Sequence, residues 1–253
     1  MRDNQKIIVR ENSAMLAQEA ITLFHETAKN SIDRWGRFVV AISGGTTPGR
    51  TYRILAEEPC RSTIPWDKTY IFWADERCVP ENDPASNFGA AKKDLLNRVP
   101  VPEAQVYPMP GELPPEQGAW QYQKALIEFF NLEDGQFPIF DLIFLGMGTD
   151  GHTASLFPGH RTVDEKERMV LAVKGGHPNV NRLTLTLPVL NRSRKIVFLI
   201  SGKKKAATLK TVFENTDTRL PVQKIHPLDK ELIWLLDNES SSLLPEEMIH
   251  EKY

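Results

Sequence analysis

The chain has 253 residues, 41% hydrophobic and 25% charged, which is ordinary globular composition and enough to bury the core of one large α/β domain. Its 31 basic and 33 acidic residues leave a formal net charge of −2, so nothing in the charge balance favours nucleic acid or an anionic membrane as a partner. No apolar run approaches the ~20 residues of a membrane helix, the amino terminus (MRDNQKIIVRENS) has no signal-peptide core, and Cys60 and Cys78 lack metal-ligand spacing; the expectation is a cytoplasmic protein with two free thiols.

Ser13 to Trp35 places Leu16, Ala20, Phe24, Ala28 and Ile32 four residues apart, which predicts a helix with one apolar stripe. After Gly36, the β-branched and aromatic run Arg37 to Ser43 reads as a strand. It enters the turn Ser43-Gly44-Gly45-Thr46-Thr47-Pro48, and Pro48 suits the first turn of a helix through Tyr52, Ile54 and Leu55. Thr69 to Ala74 reads as the next strand and Asn87 to Val99 as a helix. The proline-rich stretch from Pro100 to Pro115 is a stiff connection, being short and flanked by apolar anchors. A helix over Glu116 to Leu132 and a strand over Ile139 to Leu145 follow. Arg182 precedes an alternating strand; beyond it lie a strand over Arg194 to Ile200, a helix over Lys204 to Phe213 and a last strand over Glu231 to Leu236, then a polar, peripheral tail from Glu239. Strands alternating with helices predict a single α/β domain over residues 1–253, with a mostly parallel sheet covered on both faces.

In an open α/β sheet, residues at the carboxyl ends of strands border the crevice where ligands bind. Gly44, Gly45 and Thr46 open a helix amino terminus whose N–H groups converge into an anion cradle, and the Gly-Lys-Ser/Thr ending of a nucleotide P-loop is absent. Asp75, Glu76 and Arg77 directly follow an apolar strand, so they face either solvent or a polar site; Arg77 has the fork geometry for phosphate or carboxylate. The stretch FDLIFLGMGTDGHTASLFPGH, Phe140 to His160, is the most informative. A buried strand there breaks into Gly146, Gly148 and Gly151 around Asp150 and His152. An imidazole, with an ordinary pKa near ~6.5, can take a proton at neutral pH, which makes His152 the candidate general base.

The Gly146-x-Gly148-x-x-Gly151 spacing also matches a dinucleotide fingerprint. Pro158 leaves no room for the long helix that would hold a pyrophosphate, and Asp150 would oppose its charge, so no nicotinamide cofactor is expected. Lys205 opens a helix, where a cation is unfavourable unless an anion sits nearby; with Arg182 and the glycine cradle it could neutralise a phosphate monoester. Lys203 and Lys204 read as solvated. No cluster of Cys, His and carboxylate has metal-ligand spacing, so no metal is expected; His152, His160 and His177 are the nearest candidates.

In their order and combination, SGGTTP (43–48), WADER (73–77), LGMGTDGHTASLFPG (145–159), RLTLT (182–186) and SGKKKA (201–206) resemble the 6-phosphogluconolactonase family, related to the glucosamine-6-phosphate deaminases. The resemblance runs from roughly Ala14 to Asp237. It implies a Rossmann-like sheet without a bound dinucleotide, no cofactor, and hydrolysis of a small-molecule phosphosugar lactone, 6-phospho-D-glucono-1,5-lactone, in the oxidative pentose phosphate pathway. His152 then activates water, Asp150 orients it, Arg77 holds phosphate or oxyanion, and Asp75 binds sugar hydroxyls or orders the water. Gly44, Gly45, Thr46, Arg182 and Lys205 hold the phosphate. The deaminase loop reads Asp-Gly-His-Ile-Ala-Phe-Asn-Glu, and its final carboxylate corresponds here to Phe157, so the deaminase relay is incomplete. A sugar-phosphate isomerase and a non-catalytic sugar-phosphate sensor remain open alternatives, the sensor needing the cradle but no histidine. Oligomeric state is left open.

Overall fold

The computed structural model describes residues 5–177, 179–214, 220–227 and 231–252; residues 1–4, on which part of the amino-terminal reading rests, lie outside them. In chain order these hold β1 (Gln5–Arg10), α1 (Ser13–Trp35), β2 (Phe38–Ile42), α2 (Thr46–Leu55), α3 (Cys60–Thr63), β3 (Thr69–Trp73), β4 (Asp75–Arg77), α4 (Asn87–Ala91), β5 (Val106–Tyr107) and α5 (Pro115–Phe130). There follow β6 (Leu142–Leu145), β7 (Val170–Gly175), β8 (Val180–Leu185), α6 (Leu187–Leu190), β9 (Lys195–Ile200), α7 (Ala206–Glu214), β10 (Glu231–Asp237), α8 (Asn238–Ser241) and β11 (Glu251–Lys252).

The apolar stripe of α1 buries Leu16, Ala20, Phe24 and Ala28 against the sheet. Asn12 caps its start by accepting the N–H groups of Ala14 and Met15 at 2.9 and 3.1 Å, and Gly36, in the left-handed region at φ 74, ends it. Every residue of β2 and β6 is buried; because successive side chains point to opposite faces, both faces are covered. An aromatic cluster of Phe72, Tyr107, Phe129, Phe130 and Phe140 fills one flank, with ring centroids 4.4 to 6.0 Å from Phe72.

The main sheet has eight strands in the order β11-β1-β10-β9-β6-β2-β3-β5, and its neighbours pair in parallel. From β2 the chain builds outward through β3 and β5, then returns to add β6 on the other side of β2 and continues through β9 and β10. The direction therefore reverses between β2 and β6, and the loops leaving those strands part there to open a crevice.

Four readings need correction. Asp75 to Arg77 is not a loop, and Arg182 does not precede a strand but lies within one: β4, β8 and β7 form a separate antiparallel sheet with Arg77 opposite Arg182. A strand of three residues takes its form from a partner about a hundred positions away, so no local pattern discloses it. The helix over Asn87 to Val99 shortens to α4 followed by a π-helical turn over Lys92–Leu96. The carboxyl tail is not peripheral: Ser240, Ser241 and Leu244 are buried, and β11 adds a parallel strand to β1.

Candidate active site

At the switch point lies a cleft of about 320 Å³, bordered by the ends of β2, β6 and β9 and roofed by the small sheet. Gly44, Gly45, Thr46, Asp75, Arg77, His152, Arg182 and Lys205 all border it, and Asp150 stands behind His152. His177, on the β7–β8 turn, also reaches the rim. A wider depression beside the exposed Trp120 is the outer face of α5, whose charges are already paired as Lys124–Glu128 and Arg168–Glu116. It carries no converging set of reactive groups.

The Asp150-Gly151-His152 turn is not followed by a helix, as its proline predicted. His152 Nδ1 lies 2.6 Å from Asp150 Oδ1, and the same oxygen accepts the His152 backbone N–H at 3.1 Å. Since the carboxylate accepts from Nδ1, the imidazole keeps its lone pair on Nε2. Burial pushes the Asp150 carboxyl up, but the N–H and imidazole of His152 outweigh it and hold it below the ordinary carboxylate range. Gly148 makes this fold-back possible, because a Cβ there would collide with the His152 ring and the Asp150 carboxylate. Thr153 Oγ1 donates to the Gly146 carbonyl at 2.9 Å and fixes the far side of the turn.

The opposite side of the cleft is cationic. α2 begins at Thr46 with Gly45 as its cap and no side chain bonded to its first N–H groups, which leaves donors and the positive end of the helix dipole facing the cleft. Lys205 Nζ donates to the Met147 carbonyl at 2.6 Å. Burial lowers its pKa, with Asp150 opposing. Arg182, only 3% exposed, donates from Nε to the Gly175 carbonyl at 2.9 Å and lies over the Phe157 ring at 5.6 Å. Burial and then the neighbouring Arg77 lower its pKa, so the pair of guanidinium groups gains from an anion between them. Arg77 Nη1 donates to the Ala85 carbonyl at 2.7 Å, while its buried Nε meets no acceptor among the described residues. These are the charges that a phosphate or an oxyanion would satisfy.

Asp75 is buried and accepts Ser155 Oγ at 2.7 Å, while Asn87 Nδ2 lies 3.4 Å from its other oxygen and donates to its backbone carbonyl at 2.8 Å. Ser155 and Asn87 were not singled out from the sequence, and Glu76 was read only as one of three charges in a run. The run of charge at 75–77 was the available signal; what it could not disclose is that the middle residue faces inward. Burial pushes the Glu76 carboxyl up to about 7, against three backbone N–H bonds that pull it down. Among the described residues no group of three or more His, Cys, Asp and Glu side chains could hold a metal ion, and no helix is long and apolar enough to cross a membrane.

Fold and cleft together define an α/β protein with one carboxylate-braced imidazole facing a compact cationic pocket at the sheet's switch point. The chain belongs to the family of glucosamine-6-phosphate isomerases and 6-phosphogluconolactonases, whose model matches residues 11–234. A 6-phosphogluconolactonase from Synechocystis sp. is 40% identical over 237 residues, spanning 92% of this chain and 95% of that protein. One from Nostoc sp. is 35% identical over 234 residues, spanning 91% and 94%. Among solved structures, the 6-phosphogluconolactonase from Trypanosoma cruzi superposes with a TM-score of 0.85 at 28% identity, covering 96% of this chain and 98% of that one.

Proposed function

We propose that this chain hydrolyses 6-phospho-D-glucono-1,5-lactone to 6-phosphogluconate, the lactone-opening step of the oxidative pentose phosphate pathway, with His152 as general base. The observation that carries the reading is the 2.6 Å contact between Asp150 and His152 Nδ1 in the cleft that also gathers Arg77, Arg182, Lys205 and the start of α2. The names of the relatives supply the substrate.

The phosphate docks on Gly44, Gly45 and Thr46 with Arg182 and Lys205, and this remote binding positions the lactone carbonyl. His152 Nε2 removes a proton from water as the water oxygen bonds to C1. The carbonyl electrons move onto the oxygen, and donors such as Arg77 stabilise the oxyanion. As the carbonyl re-forms, the C1–ring oxygen bond breaks and the ring oxygen takes the proton back from the imidazolium. Asp150 holds the ring in the tautomer this cycle needs. Asp75, its oxygens already engaged by Ser155 and Asn87, is placed to order the water or receive a sugar hydroxyl.

Phe157 argues against the deaminase alternative. Its ring centroid lies 4.9 Å from that of His152, so an apolar ring occupies the place where the resemblance puts the second carboxylate. The test is acid release from freshly made phosphorylated lactone, with spontaneous hydrolysis subtracted, beside ammonia release from glucosamine 6-phosphate. Acid without ammonia supports the proposal; ammonia without acid overturns it.

A further inference from the structure

Successive residues of β4 point to opposite sides, so Asp75 and Arg77 border the cleft while Glu76 turns away from it into the wall behind. There Glu76 is 2% exposed and accepts the backbone N–H groups of Arg77, Asn87 and Phe88, each at 2.7 Å, with Ser86 Oγ at 3.4 Å. The N–H groups of Asn87 and Phe88 open α4, where the helix itself offers no acceptor. A charge-assisted bond to each fixes where Asn87 begins its side chain.

From that anchored start, Asn87 reaches back across to the cleft. Its Nδ2 donates to the Asp75 carbonyl at 2.8 Å and lies 3.4 Å from the Asp75 carboxylate. Its Oδ1 sits so close to Gly44 that a Cβ at that position would collide with it. One amide therefore sets the spacing between the anion cradle at Gly44 and the carboxylate at Asp75. We propose that Glu76 is a positioning residue that acts through Asn87: it holds the start of α4 so that Asn87 braces the cradle and Asp75 in register for the phosphorylated substrate. The inference rests on the lactonase reading for its substrate and on the geometry of β4, α4 and Gly44 for its coupling.

A double-mutant cycle in the full chain tests it. Glu76→Gln preserves volume but turns an amide N–H₂ toward backbone N–H groups, and Asn87→Ala removes the brace. For wild type, both single variants and the double variant, KM and kcat for the phosphorylated lactone are measured at about pH 8, where Glu76 is ionised. The affinity for inorganic phosphate is measured by calorimetry without lactone, and Tm is recorded alongside. Glu76→Gln is expected to raise KM and weaken phosphate binding by about tenfold, more than it lowers kcat, and the double variant should be no worse than Asn87→Ala alone. Should Glu76→Gln not fold, Glu76→Asp, which keeps the charge but falls short of α4, carries the same expectation. A variant whose Tm falls while KM and phosphate affinity stay within about twofold of wild type overturns the proposal, as do losses that multiply in the double variant. Failure of the wild type to bind phosphate overturns it too. A wild type that binds phosphate but opens no lactone overturns the proposed reaction instead, and the calorimetric cycle still decides the coupling.

Discussion

Arg182 and Lys205 carry charge into a partly dry cleft, and burial lowers the pKa of each. An anion bound between them restores what burial takes away. Arg182→Ala and Lys205→Ala should each weaken binding of the phosphorylated lactone by about 1–3 kcal/mol, read as KM or as product affinity. With the unphosphorylated lactone the effect should largely vanish; equal losses on both lactones would mean the residues serve the fold or the chemistry. Glu76 gives a second residue-scale prediction, of opposite kind. Its folded-state pKa is raised, from 4.5 to about 7, so the stability it contributes is fully present below 4.5 and is lost as pH rises through about 7. The unfolding free energy of wild type relative to Glu76→Gln should therefore fall across that window, and a difference flat in pH would show that the N–H bonds of Arg77, Asn87 and Phe88 offset the cost of burial. His152 and its glycine turn were legible from residue order alone, because the chemistry lies in contiguous residues. Asn87 was not, since its part depends on an anchor eleven positions away on β4.

The helix α1 shows why some elements can be read directly. Its stripe of small and large apolar residues repeats with the helical period, and Asn12 and Gly36 mark its ends by local chemistry. Asn12→Ala should cost about 1 kcal/mol, measured by chemical denaturation, with the cleft unaffected; a cost near zero would mean that solvent satisfies Ala14 and Met15 equally well. The small sheet had no such markers. Asp75-Glu76-Arg77 is charged throughout and gains its strand geometry only by pairing with Arg182-Leu183-Thr184, so the sequence showed the right residues without showing that two arginines face each other across a ladder. That pairing is what brings Arg77 and Arg182 into one cleft.

On the scale of the whole molecule, the alternation of strands and helices was visible, whereas the order of the strands was not, because register between distant segments is set by packing on both faces. The order matters: it places the reversal between β2 and β6 and thereby the cleft. It also places the carboxyl tail at the far edge, where the His250 N–H donates to the Ile7 carbonyl at 3.0 Å, the Ile7 N–H donates to His250 Nδ1 at 3.1 Å, and Arg10 bonds Glu19 and Glu251. Deleting residues 249–253 should lower Tm by about 3–10 °C while leaving kcat and KM unchanged well below Tm, since β1 and β10 lie between that edge and β9, where the cleft begins. Activity lost in proportion to stability at every temperature would show that the edge and the site are coupled.

The proposed chemistry turns on a single imidazole, so its most direct test is acid release from freshly prepared 6-phosphogluconolactone by the wild type and by His152→Ala, each corrected for spontaneous opening. In the variant kcat should fall by about 100-fold or more while product affinity is nearly retained, because the substitution removes the base and leaves the phosphate anchor in place. A variant that turns over at nearly the wild-type rate would contradict it and take His152 out of the mechanism.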